Sequence, residues 1–375
     1  MKKINNLLSR FKKKKPDWIL FLLTLLLGVF GLILIADASV IVAQINFNDQ
    51  FYYLKRQSLW LILGFLSLIT VSSIKYQQFK KAALPLFIIS FILLIVVLIP
   101  GLGVKKLGAR RWLDFGPFSF QPTELTKLAL VLFGASFFTQ KQEKKRSFWI
   151  FLVILSTISG LIMLEPDLGT TIVIAATGFS LCFLIGVSSW KLLLSLVIAL
   201  AIGGVLIFSS PYRQERLLTF LKPNQDPQGA SYHTQQILLG LGSGGIFGQG
   251  IGQGRQKYAY LPEVVTDSIF TVIAEELGFV GATIFIIILA LLIFRCLKIA
   301  NQAPDQFSQL MCAGIGLFIG FQSLINLGAM VGIFPLTGIP LPFISYGGSS
   351  LLINFTAIGM VLSVSKSRKR RKKNK

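Results

Sequence analysis

Long apolar runs recur along the whole chain and constrain its fold more than any other feature. A helix that crosses a bilayer needs about 20 mostly apolar residues. Ten stretches of the 375-residue chain meet this need: 18–37, 57–74, 82–100, 123–139, 148–164, 170–187, 191–209, 266–296, 309–332 and 348–365. We therefore expect an all-α polytopic membrane protein with ten transmembrane helices, in which residues 18–365 form a single membrane domain.

The basic residues predict how these helices are oriented. Ten helices put both termini on one side, and that side carries 25 Lys and Arg against eleven on the other. Cytosolic loops hold such an excess, so both tails, residues 1–17 and 366–375, are expected in the cytosol. Residues 210–265 then form a large extracytoplasmic loop between helices seven and eight. The net charge of +22 reflects tails that contact anionic lipid, and we expect no nucleic-acid partner.

The acids concentrate in one stretch, Lys257 to Gly281, which carries four of the 15 acids: Glu263, Asp267, Glu275 and Glu276. Asp267 falls where the outer loop becomes helix. Acids within a bilayer are costly and are usually paired or functional. We expect Glu276 to be structural, paired with Lys127, so that Glu276→Gln lowers folded yield more than turnover.

Cations on the outer side run against the preference of Lys and Arg for cytosolic loops, so they require an explanation. Arginine binds phosphate oxygens in a bidentate manner, which favours anion binding by four residues: Arg110, Arg111, Arg213 and Arg216. For Lys105, Lys106 and Lys222 a solvated loop face is the better reading.

The segment before helix four, GARRWLDFGPFSFQPTE, is rich in aromatic residues. Rings such as Trp112 favour the membrane interface, so we expect a loop that lies there. Glu124 and Lys127 follow three residues apart and face one another on a helix. A structural ion pair and a role in the site both remain open for them.

Between helices five and six lies EPDLGT. Glu165 and Asp167 could form a cation site in this short outer loop. They could equally cap helix six, since a helix N-terminus favours negative charge.

The segment before helix ten reads GIPLPFISYGGSS. Its two prolines exclude regular helix, and a helix that starts with small residues exposes N–H groups that accept phosphate. A plain turn with a serine cap is the alternative. The neighbouring outer arginines favour substrate binding by Ser345, Gly347, Gly348, Ser349 and Ser350.

The outer loop also contains GLGSGGIFGQGIGQG, in which residues 240–245 match GxGxxG. A dinucleotide site is excluded because no strand precedes the motif. We expect these glycines to let the backbone lie close to helix ends or to a ligand. His233, the single histidine, cannot form a zinc site alone and receives no role.

Taken in order, several segments resemble the SEDS family of bacterial cell-wall polymerases, which includes FtsW and RodA. They are GARRW, FSFQPTELTKLAL, EPDLGT, RQERLLTFLKP, GSGGIFGQGIG, QKYAYLPEVVTDSIFTVIAEELGFVG and LPFISYGGSS. The QK before YAYLPE and the stretch RQERLLTFLKPNQDPQG look more like FtsW than RodA. One departure is Val265-Thr266-Asp267-Ser268, where the family usually reads His-Thr-Asp-Phe.

The resemblance implies a peptidoglycan glycosyltransferase that polymerises lipid II at the outer face of the bacterial cytoplasmic membrane, in septal synthesis. Asp267 would be the catalytic base. The other substrate-binding candidates implied are Arg110, Arg111, Trp112, Glu124, Lys127, Arg213, Arg216, Lys257 and the serines and glycines of residues 345–350. A divalent cation (Mg or Mn) would be held by Glu165, Asp167 or Asp267, with no nucleotide or organic cofactor. Partners would be a class B penicillin-binding transpeptidase and other division proteins.

Three alternatives remain at this stage. Ten helices around a polar cavity would also suit a lipid II flippase, although the polar motifs gather on one side. An elongation polymerase of the RodA type would share these motifs. A scaffold that only recruits a partner enzyme would not need so many outer polar motifs.

Overall fold

The chain folds into thirteen described helices and a small sheet. The computed structural model describes residues 15–106, 109–116, 118–140, 144–222, 231–258 and 261–367. The helices are α1 (Trp18–Ala38), α2 (Val40–Phe47), α3 (Tyr52–Ser73), α4 (Tyr76–Leu98), α5 (Pro122–Phe138), α6 (Lys144–Leu164), α7 (Leu168–Leu184), α8 (Ser189–Phe208), α9 (Pro211–Leu221), α10 (Tyr232–Ser243), α11 (Ile269–Asn301), α12 (Gln306–Met330) and α13 (Gly348–Ser365).

The apolar helices make this a multi-pass membrane protein. Within the described ranges, eight helices are long and apolar enough to cross a bilayer: α1, α3, α4, α6, α8, α11, α12 and α13. The apolar helix α7 is shorter, at 17 residues. The helix α5 has the same length and carries Glu124 and Lys127. The ten expected spans each coincide with one of these ten helices, while their number and orientation in the membrane stay predictions.

Three strands interrupt the otherwise helical fold, where we expected an interfacial loop. They are β1 (Gly103–Lys106), β2 (Ala109–Asp114) and β3 (Ser119–Phe120), and they form an antiparallel sheet in the order β1-β2-β3. Leu113 of β2 lies opposite Gly103 on one side and Phe120 on the other. The sheet places residues 109–112 on a strand whose Arg111 and Trp112 line a cavity.

The centre of the bundle is α13, which packs mainly against α3, while α12 packs against α11, α7 and α5. Close approach explains the small residues of α13. A Cβ at Gly359 would lie 2.9 Å from the carbonyl oxygen of Leu68 in α3. The helix α8 is instead almost wholly exposed, with 6% of its span buried.

Charged residues near the ends of the spans are paired. Asp17 caps α1 and binds the Arg295 guanidinium of α11 at 2.8 Å. The backbone N–H of Asp17 donates to Ser365 at the end of α13. At the other end of α1, Lys257 bridges Asp37 and Glu276 at 2.7 Å each. Glu276 is therefore paired, as expected, but its partner is Lys257 and not Lys127, and its structural role stays a prediction.

Candidate active site

A cavity of about 660 Å³ lies where β2 meets the segments around Asp267 and before α13. It is enclosed by the starts of α3 and α13, by β2, by α9 and α10, and by the segments that flank Asp267 and precede α13. Its polar and charged lining residues are Tyr53, Arg56, Arg111, Ser119, Gln121, Glu215, Arg216, Thr219, His233, Thr234, Glu263, Thr266, Asp267, Tyr346 and Ser350. This volume falls within the range of about 300–1,000 Å³ typical of ligand sites.

Asp267 lies in the cavity wall, two residues before α11 begins. Its side chain is 6% exposed. Burial is the main reason why the pKa of Asp267 is raised to about 7. Repulsion from Glu263 raises it further, whereas hydrogen bonds, including one from Thr266, and the Arg216 charge oppose the shift. Such a carboxyl exchanges protons near neutral pH, which suits a general base.

The backbone around Asp267 is fixed from both sides. The Asn326 side chain in α12 donates to the carbonyl of Asp267 at 2.9 Å. His233 Nε2 in α10 lies 2.8 Å from the hydroxyl of Ser268. The Asp267 carboxylate itself accepts a longer bond, 3.3 Å from Thr266 Oγ1. These contacts hold Asp267 through its own carbonyl and through the side chains of its two neighbours.

Three arginines supply positive charge to the cavity: Arg56, Arg111 and Arg216. Arg216 donates to the carbonyl of Leu336 at 2.8 Å. Arg111 donates to the carbonyls of Glu165 and Pro166. These bonds fix the guanidinium groups in place, so an anion in the cavity would meet positioned charges.

The start of α13 also reaches the cavity through Gly347, Gly348 and Ser350. A Cβ at Gly348 would lie 2.1 Å from the Trp60 ring, so a larger residue cannot occupy this position without displacing the ring. Ser345 accepts a bond from the N–H of Leu341 at 2.8 Å and is buried in the turn. Ser349 is also buried, and its hydroxyl has no hydrogen-bond partner in the described part of the chain.

Several of the predicted site residues lie away from the cavity lining: Arg110, Glu124, Lys127, Arg213, Lys257, Ser345 and Ser349. Arg213 donates to the carbonyls of Leu206 and Met163, at 2.9 and 3.0 Å. It therefore joins α9 to α8 and α6. Lys257 is held by its two carboxylates.

Glu124 and Lys127 form a buried ion pair at 2.8 Å, and both side chains are at most 2% exposed. Lys127 also donates to Gln322 of α12, which in turn donates to the carbonyl of Pro340. The pair thus links α5 to α12 and to the turn before α13. Through these hydrogen bonds the ion pair holds the turn in position from the side away from the cavity.

The metal candidates do not form a chelating group. Asp167 caps α7, where it accepts from the N–H and the hydroxyl of Thr170 at 3.0 Å each. The Glu165 carboxyl is fully buried, and neither of its oxygens has a hydrogen-bond partner among the residues that the structure describes. Burial and the Asp167 charge raise the pKa of Glu165 to about 9, against the influence of Arg111. Within the described ranges, no three acidic, histidine or cysteine residues cluster as metal ligands. Glu165 and Asp167 therefore do not form a cation site made of protein ligands alone within the described ranges.

Arg56, His233 and Glu263 are among the polar residues of the cavity that sequence reasoning missed. Arg56 had a signal, since it is one of the eleven outer cations. It also stacks over the Tyr52 ring at 4.7 Å. Glu263 had a weaker one, in the acidic stretch. His233 had none, because only the fold brings α10 beside Asp267.

Chemically, this cavity combines a buried carboxyl of near-neutral pKa, fixed cations, and aromatic rings such as Trp60 and Trp112. A carboxylate that accepts a proton beside positioned cations can activate a hydroxyl and stabilise a departing anion. Aromatic rings favour the apolar faces of a ligand. The arrangement suits transfer of a group from an anionic carrier to a hydroxyl.

Comparisons with known proteins give the same picture over nearly the whole chain. Residues 17–370 match the FtsW, RodA and SpoVE family, described as cell cycle proteins. Stage V sporulation protein E of Bacillus subtilis (strain 168) is 40% identical over 359 residues, which cover 95% of this chain and 98% of that protein. The probable peptidoglycan glycosyltransferase FtsW of Trichlorobacter lovleyi is 38% identical, covering 95% and 94% of the two chains.

Solved structures share the fold. A chain from a peptidoglycan synthase complex that coordinates polymerization and crosslinking superposes with a TM-score of 0.77 at 30% identity, covering 93% of this chain and 97% of that one. The rod shape determining protein RodA of Thermus thermophilus gives a TM-score of 0.70 at 30% identity, covering 95% and 98%. With its sequence motifs, its fold and its cavity in agreement, the chain belongs to the FtsW, RodA and SpoVE family of SEDS proteins.

Proposed function

We propose that this protein is a peptidoglycan glycosyltransferase that polymerises lipid II into glycan strands at the outer face of the cytoplasmic membrane. The observation that carries the proposal is Asp267, a buried carboxyl with a pKa of about 7 in a cavity that also holds Arg56, Arg111 and Arg216. Relatives named as probable peptidoglycan glycosyltransferases share 35–38% of their residues with this chain, which supports the same activity.

In this mechanism Asp267 removes the proton from the 4-hydroxyl of the acceptor sugar. The oxygen attacks the anomeric carbon of the donor strand, and the bond from that carbon to the pyrophosphate oxygen breaks. The arginines and the N-terminus of α13 stabilise the departing pyrophosphate. A positioned base contributes about 10²–10⁴-fold to such a step. A divalent cation stays a prediction from the resemblance alone.

Septal synthesis in division is the cellular role that we propose. The relatives named FtsW support it, and the chain is also 40% identical to a sporulation protein. A transpeptidase of the penicillin-binding class is the proposed partner, because a solved neighbour belongs to a complex of polymerization and crosslinking. Ten spans with both termini in the cytosol complete the proposed arrangement, which puts the cavity on the outer side.

The decisive experiment is glycan polymerisation from lipid II by purified protein, alone and with its cognate transpeptidase. We expect polymer from the wild type and none from Asp267→Asn that is equally well folded. Polymer from both would leave the polymerase in place and remove Asp267 as its base. A wild type that makes no polymer with partner and divalent metal present, but moves lipid II across a vesicle membrane, would establish the flippase instead.

A further inference from the structure

The glycine-rich segment of residues 244–254 folds back onto a break in α11. Gly278 has φ 67° and ψ −169°, which interrupts the helix. The carbonyls of Glu275 and Glu276 therefore lose their helical partners. They accept instead from the N–H groups of Gln249 and Gly250, at 3.0 Å each. Beyond the break, the N–H groups of Phe279 and Val280 donate to the carbonyls of residues 245 and 246, at 2.9 and 3.1 Å.

The side-chain carboxylates of Glu275 and Glu276 accept hydrogen bonds from further backbone N–H groups of this segment. Glu276 accepts from the N–H groups of Gly252 and Gly254, at 3.1 and 3.2 Å. Glu275 accepts from those of Arg255 and Gln256, at 2.8 and 3.2 Å. An irregular segment is tolerated at membrane depth only when its backbone groups find partners within the protein. Residues 244–256 meet much of this condition without water.

Glycine makes the close approach possible. A Cβ at Gly244 would lie 2.0 Å from the carbonyl oxygen of Ala274, and one at Gly248 would lie 2.1 Å from that of Glu276. Residues 240, 244 and 248 are all glycine, spaced four apart. The absence of side chains at Gly244 and Gly248 lets the segment lie directly against the backbone of α11. The glycines therefore serve contact with a helix, one of the two roles expected from the sequence.

Two buried ion clusters show how deep this break lies. Asp17 and Asp37 are twenty residues apart on α1, or about 30 Å at 1.5 Å per residue. Arg295, the partner of Asp17, and Glu276, linked to Asp37 through Lys257, are nineteen apart on α11, or about 28 Å. Both separations match the hydrocarbon thickness of about 30 Å. Phe279 is sixteen residues from Arg295 and thus about 24 Å along the helix from the Asp17–Arg295 level. It therefore lies inside the leaflet opposite that level.

The segment turns apolar side chains outward at this depth. The side chains of Ile246, Phe247 and Ile251 are 64%, 82% and 73% exposed, and Phe279 beside them is 71% exposed. They continue the apolar face that α11 shows further along, at Ile284, Ile287, Leu291 and Phe294. Exposure of this apolar patch to water would be unfavourable. Contact with lipid acyl chains would cover it without desolvating any polar group.

We propose that residues 244–254 form a re-entrant loop whose tip, Ile246, Phe247 and Ile251, inserts among the lipid acyl chains of the leaflet next to the active-site cavity. The proposal does not depend on the enzymatic activity. It gives the glycine-rich motif a physical task, since these residues close the broken helix and anchor it in the bilayer.

Depth-dependent fluorescence quenching tests this. Phe247→Cys would carry an environment-sensitive fluorophore in the full chain, reconstituted in lipid nanodiscs with its cognate transpeptidase and without it. The native thiols Cys182, Cys296 and Cys312 are buried, so wild type gives the labelling background. The quenchers are phospholipids with a nitroxide at acyl carbon 5 and aqueous iodide. Gln306→Cys, exposed beyond the Asp17–Arg295 level, is the matched aqueous control.

We expect the lipid nitroxide to quench position 247 several-fold more than iodide does, and the order to reverse at position 306. Ile251→Cys repeats the measurement if Phe247→Cys lowers the folded yield. Stronger quenching by iodide at 247 and 251 would overturn the proposal. Loss of lipid quenching on addition of the transpeptidase would also overturn it, because the surface would then belong to a protein partner.

Discussion

His233 Nε2 lies 2.8 Å from the hydroxyl of Ser268, the residue that directly follows Asp267. Ser268 occupies the N-cap position of α11, yet its side chain makes no capping bond to the helix. Its hydroxyl is therefore engaged by α10 rather than by its own helix. Burial, with the charge of Arg216, lowers the pKa of His233 to about 4, so the ring is neutral at pH 7 and acts as a hydrogen-bonding group.

The contact between His233 and Ser268 should position Asp267, the proposed base. We expect His233→Ala and Ser268→Ala each to lower kcat by about tenfold or more, because small displacements at a reacting centre are costly. The double variant should be no slower than either single one, since the two changes remove the same bond. His233→Gln, which keeps a polar amide, should recover part of the loss. The assay is lipid II polymerisation, with melting temperature as the folding control.

Leu239→Ala is the matched control, because Leu239 lies on the same helix and is 58% exposed. It should leave kcat unchanged. Independent, multiplying losses in the double variant would contradict a shared role for His233 and Ser268.

The rate should depend on pH through Asp267. With a pKa of about 7, the base is protonated in acid, and kcat/KM should rise about tenfold per pH unit below that value and level off above it. The measurement is initial polymerisation rate between pH 5 and 9. A rate that stays flat from pH 5 to 7 would rule out a base of this pKa.

Asp267 should also reduce stability at high pH. Its folded pKa of about 7 exceeds the usual aspartate pKa of 3.8, so between these two pH values the folded protein binds a proton that the unfolded chain releases. Stability then falls as pH rises through this range. The difference of about three units corresponds to at most about 4 kcal/mol. We expect Asp267→Asn to raise the melting temperature at pH 8 and to change it little at pH 4. An equal shift at both pH values would contradict this linkage.

The bridge from Lys257 to Glu276 should be structural. Removing one member of a buried pair typically costs about 3–5 kcal/mol, so Glu276→Gln and Lys257→Met should each lower folded yield and melting temperature. The double variant should lose less than the sum of both. Turnover per folded molecule should stay within about threefold of wild type. The reason is that this pair lies outside the cavity lining, away from the proposed reacting groups. Normal yield with lost turnover would assign Glu276 to the chemistry.

Glu165 should tolerate an amide. With a pKa of about 9, its carboxyl is neutral at pH 7, so Glu165→Gln changes little in charge or size. We expect its melting temperature and its dependence of activity on added Mg²⁺ or Mn²⁺ to match wild type at pH 7. Asp167→Asn provides a comparison that retains an N-cap side chain. A raised metal requirement in Glu165→Gln would identify Glu165 as a cation ligand.

The sequence predicted the positions of the apolar helices well because the signal is local. Each of the ten apolar stretches coincides with a described helix, since about 20 apolar residues are more stable as a helix in lipid. The capping role of Asp167, one of two readings of EPDLGT, also follows from residues near it in sequence. The strands around Arg111 were missed because aromatic-rich segments fit an interfacial loop as well as a small sheet.

What the sequence by itself determined was the family, the spans and Asp267 as the candidate base. The residues around Asp267 match the family's motif, so this residue could be identified without the structure. Only the tertiary structure decided which charges meet. It placed Lys257, not Lys127, beside Glu276, turned Arg213 away from the cavity, and brought Arg56 and His233 into it. Partners separated by tens or hundreds of residues are chosen by how the helices pack, and such contacts leave no periodic or local pattern in the chain.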